Sequence, residues 1–581
     1  MKDEYATLKS AIAPEHPPRY LFDIDVWRKA STGCPLDLDY LLDGISNGFD
    51  IDVPQSSDLS RTSVRNLPTS VDQKIAICRW IKEKREKDAI WGPWHKPSDI
   101  PGELNGLRVS PLGCVPKGDH HGKDVLDKDW RVIHHLSHPR NGPSVNSVIG
   151  DEFKAVEYVK FRQVVKMMDD LGPGALIWTI DAKDAYLRVP IKDRCYKYMG
   201  FNWMGLYYVF TCLSFGLASA CRIYTLFADW VLWIIINNTN PNWWTFNGKP
   251  IVYHYIDDFF GGTPGEFASI AWMQFNSVIK WFEKLGIPTQ ESKCKSPRTR
   301  LKILGFEYDT NLQMVFIPQC KLDRILRDID NILSSRKITK LDLLSLIGKL
   351  RWASACIYAG PAFVRRMEKT ANSVQQLSHH IQVNKFRDDL MWWRQQLLHG
   401  STGIRFADIL RDPAQGDVHV LTDASTGIGM GGWNRNGNWF QYRWSDYPIK
   451  QVFSNPKKPD IYWKEMCAIA TACLIWGYKW SGKSVTFWCD NESCVYSMIK
   501  RRCDFKREDV MVLIRIIAQC ANHYNFSPYF IHIRGKDNMT ADALSRFDID
   551  CFKSDIMNVM MDQCPTECSN ALNIIINKCF K

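Results

Sequence analysis

Apolar residues recur along the chain in two rhythms, and the rhythm changes where the architecture is expected to change. Between about 105 and 260, short apolar runs are punctuated by Gly and Pro, as in LRVSPLGCVPKG, WRVIHHL, ALIWTIDA, YYVFTCL and IVYHYIDDFF, which predicts β-strands. Helical patterns are expected between them over 153–171 and 218–236. Strands alternating with helices indicate an α/β or α+β domain. Residues 316–400 read as helices: Leu322, Ile325, Leu326, Ile329, Ile332 and Leu333 keep the spacing of one apolar face. A polar break, HGSTG at 399–403, leads to a second α/β unit with strands near VHVLTDAS and SVTFWCD and helices near 464–478 and 540–546. Ahead of all this, residues 1–95 mix short apolar clusters with Pro and charge, ending in a basic helical stretch over 75–87. The residues after Arg546 show no clear pattern and receive no element.

At roughly 150 residues per domain, 581 residues suggest about four structural units. A hydrophobic fraction of 45% and a charged fraction of 24% exclude a mostly disordered chain, a collagen-like fibre and a small disulfide scaffold. Lys and Arg (74) exceed Asp and Glu (63) by 11, a mild bias toward polyanionic partners. The 19 Cys are scattered without a CxxC pair, so reduced thiols are expected. The tail set Cys551, Cys564, Cys568 and Cys579 matches no standard zinc finger and has no His among it. The N-terminus MKDEYATLKS has no apolar core of a signal peptide, and the apolar run over 226–236 is interrupted by Asp229 and too short to span a bilayer. An intracellular location, cytoplasm and/or nucleus, and no membrane partner are therefore expected.

Two sets of carboxylates carry candidate chemistry. Asp181 ends an apolar strand in WTIDAKDAYLRVPI, followed by Asp184 and Tyr186, and Asp257 and Asp258 sit between two apolar runs in YHYIDDFFGG. Adjacent carboxylates are costly unless a cation offsets them, because like charges and desolvation both raise their pKa. Mg²⁺ prefers hard oxygen ligands, and two such ions about 4 Å apart can activate a hydroxyl and stabilise departing pyrophosphate. The second set is Asp423, Glu465, Asp490 and Asp542, each at a strand end or on a helix of the second α/β unit. Four carboxylates from separate elements suit a two-Mg²⁺ phosphodiesterase, with Mn²⁺ as a substitute ion.

YIDD and DAKDAY resemble the metal-binding boxes of reverse transcriptases. LSFGLASACRIYT (213–225) resembles their template and nucleotide loop, VPKG and WRVIHHLS the fingers hairpin, and KLGIPTQESKCK and LKILGFEYD the two motifs that follow. The resemblance implies Asp181, Asp257 and Asp258 as metal ligands, with Asp184 balanced between ligand and fold-supporting acceptor. It implies Arg131 and Lys117 on the incoming triphosphate, Tyr186 as a steric gate against the 2′-hydroxyl, and Phe215 packing on the nucleotide. Lys293 would be the general acid for pyrophosphate, and Leu304, Gly305 and Phe306 the primer grip. Ser214, Cys221 and His135 depart from the family pattern without removing a ligand.

The order and context of Asp423, Glu465, Asp490 and Asp542 resemble RNase H of retroelements, most specifically in GKDNMTADALSR. Asn538 would orient the nearby acid, and His532 is read as structural. The resemblance implies a multidomain α+β and α/β protein: an N-terminal extension over 1–95, fingers and palm over 96–315, helical thumb and connection over 316–402, an RNase H-like domain over 403–548, and an unassigned tail over 549–581. LDYLLDGISNGFDIDVP, GKLRWASACIYAGPAFVRRM and DDLMWWRQQLLHG narrow the likeness to DIRS-like retrotransposons, with gypsy-type elements as neighbours. The implied activity is RNA-directed DNA synthesis with RNase H cleavage, using two Mg²⁺ per site. The implied partners are template-primer of RNA or DNA, RNA–DNA hybrid and dNTPs. No protease, integrase or recombinase motif is found, so a fragment of an element polyprotein is expected, with the recombinase or integrase encoded elsewhere. A catalytically inactive nucleic-acid-binding relic is the alternative.

Overall fold

The computed structural model describes residues 2–61, 63–116, 130–435, 437–446, 449, 459–555, 562–563 and 565–580. Lys117 therefore lies outside the described residues. The chain divides into two compact units, Met1–Leu304 and Gly305–Lys581.

The first unit is organised around a four-stranded antiparallel sheet. Its strands are β1 (Leu176–Asp181), β2 (Val252–Tyr255), β3 (Asp258–Thr263) and β4 (Lys295–Arg298), in the order β4-β1-β3-β2. β1 is apolar on both faces: Ile177, Trp178 and Ile180 are fully buried, and buried Gln274 accepts the Trp178 indole hydrogen bond at 2.8 Å. Helix α1 (Phe161–Leu171) starts eight residues after the expected 153, because Gln163 Oε1 accepts from the Lys160 backbone N–H at 2.7 Å and fixes the first turn there. Helix α2 (Ala220–Asn237) faces Ile223, Phe227, Trp230 and Ile234 to the core. With 18 residues it exceeds the apolar run seen in the sequence and is, among the described helices, the one long and apolar enough to cross a membrane, with 50% of it buried inside the unit. The N-terminal segment shares this core: the Trp27 ring lies 4.5 Å from Trp230, and its Nε1 donates to Leu285 O at 3.1 Å. A hairpin of Leu112–Pro116 and Trp130–His134 carries Arg131 opposite Val115.

The second unit begins with strands Phe306–Asp309 and Met314–Phe316 and four helices, α3 (Gln319–Leu333), α4 (Lys340–Ala353), α5 (Gly360–Asn372) and α6 (Arg387–His399). Leu322, Ile325, Ile329 and Ile332 form the buried face of α3, as the spacing predicts. A short hairpin, Lys337–Thr339 with His380–Gln382, interrupts the region read as purely helical. A six-stranded sheet follows: β5 (Val418–Ala424), β6 (Gly429–Asn434), β7 (Asn438–Arg443), β8 (Ser484–Cys489), β9 (Ser527–His532) and β10 (Asp562–Gln563), in the order β9-β8-β5-β6-β7-β10. β5, β8 and β9 are parallel, whereas β5, β6 and β7 form an antiparallel meander. Helices α7 (Ile461–Trp476), α8 (Glu508–His523) and α9 (Met539–Arg546) pack around it. Gly431 of β6 is required, since a Cβ there would meet Leu544 Cβ of α9 at 2.4 Å.

The tail, given no element from sequence, forms Ile549–Asp555, β10 and helix α10 (Pro565–Phe580). α10 packs on α7 and α8 through fully buried Cys568, Leu572 and Ile575, which lie on one helical face. Leu572→Ala should therefore destabilise the second unit by about 2–5 kcal/mol, read as a lower denaturant midpoint. An unchanged midpoint would mean that the tail helix adds nothing to the unit.

Candidate active sites

β1 and β3 are neighbours in exact antiparallel register, with Asp181 directly opposite Asp258. Directly opposed residues have Cα atoms about 4.5–5.5 Å apart, so pairing alone brings these two acids together. Asp257 is the second residue of a two-residue loop between β2 and β3, and its carbonyl accepts from Ala182 N–H at 3.0 Å. The first loop residue, Ile256, has φ +54°, a strained conformation for a β-branched side chain, and it turns the loop sharply at the carboxylates. Asp181 itself is pinned: its carbonyl accepts from Gln290 N–H at 2.9 Å.

The electrostatics follow from this crowding. Asp258 is pushed up to about 6 by desolvation and by the charges of Asp257 and Asp181. Asp257 is raised by desolvation and by Asp181. Lys293 Nζ lies 3.0 Å from Asp181 Oδ2 and 3.3 Å from Oδ1. Against desolvation of its ammonium, the Asp181 hydrogen bond and charge raise the Lys293 pKa. The residue expected at the pyrophosphate is thus placed on a carboxylate of the cluster.

Asp184 meets a lysine. It stands ahead of a one-turn helix at φ +58°, its side chain making no capping bond and accepting from Lys87 Nζ at 2.8 Å. Tyr186 is buried, its hydroxyl 3.2 Å from Cys221 Sγ, and its ring meets Phe215 edge-on at 5.1 Å. Phe215 is 67% exposed. Arg131 is exposed on its hairpin and pairs with no described carboxylate. Leu304 ends the first unit with φ +47°, and Gly305 opens the second with φ +88°, while Phe306 stacks on Trp352 at 4.5 Å. Sequence reasoning missed Lys87 and Tyr158, whose ring packs on Tyr255 at 4.7 Å. Nothing in the local sequence marks either one.

In the second unit, Asp423 lies on β5 opposite Gly431, Glu465 on α7, Asp490 just beyond β8, and Asp542 on α9. Burial pushes Asp423 up to about 6, with Asp490 and Asp542 adding. Glu465, 3% exposed, is driven far above the carboxylate range by burial, then by Cys489, Asp423 and Asp490. Asp490 is raised by desolvation and by Asp542. Asp542 is held by Arg546 Nε at 2.7 Å. Asp423 thus feels the charges of Asp490 and Asp542, and Glu465 those of Asp423 and Asp490. Asn538 does not bond an acid directly: its Nδ2 donates to the carbonyl of Thr422, the neighbour of Asp423, at 3.1 Å. His532 Nε2 lies 3.1 Å from the Asp490 carbonyl, a structural contact. Among the described residues, Glu465, Cys489 and Asp490 form a group whose ligand atoms all lie within 4.8 Å of one another; Asp181, Asp257 and Asp258 do not form so tight a group. Cys489 carries no signal in the sequence beyond its position before Asp490.

Both centres suit hard divalent cations. Asp257, Asp258, Asp423, Glu465 and Asp490 all have their proton affinity raised, by desolvation first and neighbouring groups second, and a bound cation offsets both.

Comparison with known proteins gives one family match: residues 117–308 match the model described as reverse transcriptase (RNA-dependent DNA polymerase). No curated protein matches the chain. Among solved structures, the chain is similar to the foamy viral protease-reverse transcriptase dRH in complex with ds DNA, at 15% identity and TM-score 0.44, covering 89% of this chain and 83% of that one. The foamy viral protease-reverse transcriptase with RNA/DNA hybrid matches at 15% identity and TM-score 0.45, covering 87% and 62%. The same protein with dsDNA matches at 15% identity and TM-score 0.44, covering 90% and 99%. The fold is multidomain, of mixed helices and sheets, and the reverse transcriptase match falls almost wholly in the first unit, ahead of the six-stranded mixed sheet of the second. Residues 117–308 thus carry a reverse transcriptase domain.

Proposed function

We propose that this chain is the RNA-directed DNA polymerase of a retrotransposon, of DIRS-like type, which extends a primer with dNTPs and cleaves the RNA strand of RNA–DNA hybrids. The observation that carries the reading is the register placing Asp181 against Asp258 with Asp257 one residue beyond. In this reading Asp181, Asp257 and Asp258 hold two Mg²⁺. Such ions, when bound, favour the ionised 3′-hydroxyl and neutralise charge on the phosphate and the departing pyrophosphate. The remaining roles belong to side chains. Lys293 moves from Asp181 to the pyrophosphate as substrate brings its own cations. Arg131 binds phosphate oxygens through charge-assisted hydrogen bonds. Phe215 packs on the nucleotide, and buried Tyr186 beneath it holds a wall against a 2′-hydroxyl. Asp423, Glu465, Asp490 and Asp542 hold the ions of the nuclease centre. Net positive charge supports salt-dependent binding to nucleic acid backbone.

The test is primer extension on poly(rA)/oligo(dT) with dTTP and Mg²⁺. Incorporation is expected, and its absence in folded protein would overturn the polymerase reading. Tyr186→Ala should raise the relative efficiency of rNTP over dNTP use by about 10–200-fold, the range for losing a close steric contact. Unchanged sugar discrimination would remove the steric-gate role.

A further inference from the structure

Cys489 stands where the nuclease centre otherwise offers oxygen. Its Sγ lies 3.9 Å from Oε2 of Glu465, and the Asn491 backbone N–H donates to the same sulfur at 3.4 Å. Glu465 is 97% buried, and among the described residues it pairs with no lysine or arginine. Its side-chain partner is the thiol, and Asp490 is the next residue along the chain. A tetrahedral ion with bonds of about 2.0–2.3 Å holds a sulfur and an oxygen about 3.6 Å apart. The separation of Cys489 from Glu465 is already close to that span. Soft thiolate selects Zn²⁺ and its congeners, whereas Mg²⁺ gains nothing from sulfur.

We propose that Glu465, Cys489 and Asp490 form a mixed carboxylate–thiolate site for a thiophilic divalent ion such as Zn²⁺ or Cd²⁺, which inhibits the nuclease by occupying carboxylates that Mg²⁺ requires. The inhibitory part rests on the nuclease reading above; the binding part does not. On binding, the thiol proton leaves to solvent and a metal–sulfur bond replaces the S–H bond, with no change in oxidation state.

The test titrates the full-length chain with Cd²⁺ alone and follows the ultraviolet thiolate-to-cadmium charge-transfer band, with Zn²⁺ affinity measured by calorimetry. Cys489→Ser is expected to lose one ion's worth of the band and to weaken Zn²⁺ at least about tenfold. Glu465→Gln should weaken Zn²⁺ while retaining a thiolate band of altered energy. Band and affinity equal to wild type in Cys489→Ser would overturn the site. Should that variant lose its fold by circular dichroism, Cys489→Thr and Cys489→Ala carry the same comparison. Hybrid cleavage in Mg²⁺ is measured separately. Ion binding without any cleavage keeps the site and removes the nuclease reading, whereas cleavage with no Cys489-dependent ion does the reverse. If both hold, Zn²⁺ should inhibit Mg²⁺-dependent cleavage in wild type, and inhibition independent of Cys489 would overturn the inhibitory role.

Discussion

Asp257→Asn is expected to lower primer extension by about 10³-fold or more, because a lost metal ligand removes several kcal/mol of transition-state charge stabilisation and each 1.36 kcal/mol is tenfold. The variant separates chemistry from folding. The Asp257 carbonyl, not its carboxylate, receives the Ala182 N–H, so the loop keeps its bond to the chain just beyond β1. Desolvation and the charge of Asp181 raise the Asp257 pKa, so its ionised form is held at a cost in the cation-free fold. Asparagine relieves that cost, and cation-free protein should melt no lower than wild type at neutral pH. Lost activity with an unchanged or higher melting temperature fits a cation ligand. Retained activity would remove Asp257 from the polymerase machinery.

Asp490→Asn should abolish cleavage of an RNA–DNA hybrid, again by about 10³-fold, while DNA synthesis stays near the wild-type rate. Independence is expected because Asp490 and the three palm acids lie in separate compact units. Its local backbone should survive the change, since the contact with His532 uses the Asp490 carbonyl. Gel analysis of a labelled hybrid alongside primer extension reads both activities from one preparation. Joint loss would mean that the two centres do not work as independent modules.

The parts of this molecule legible in the sequence are those where local pattern and chemistry coincide. HYIDDFF announces a hairpin because two apolar runs flank a charged doublet that no core would accept. Asp423, Asp490 and Asp542 are legible for the same reason, each sitting where an apolar element ends or turns. The misses have physical causes. Over 153–160 the apolar residues Phe153, Val156 and Val159 keep helical spacing, yet the chain makes only a 3-10 turn at Asp151–Phe153 and no helix up to the Gln163 cap, while Tyr158 packs on Tyr255. Tertiary packing overrides propensity there. The tail helix was hidden because its buried face is built from Cys568, Leu572 and Ile575 among asparagines, a stripe that periodicity underweights. Lys87 and Asp184 are 97 residues apart and Lys293 and Asp181 112 apart, so no local signal could pair them.

Fe²⁺-directed backbone cleavage tests the palm cluster most directly. Hydroxyl radicals formed at an iron ion held in place of Mg²⁺ cut only the chain segments adjacent to it. With ascorbate and peroxide, the full-length protein should be cut near 181 and near 257–258 together, with excess Mg²⁺ protecting both and Asp181→Asn losing both. Cuts near one segment without the other, or cuts indifferent to Mg²⁺, would show that these acids do not share a cation.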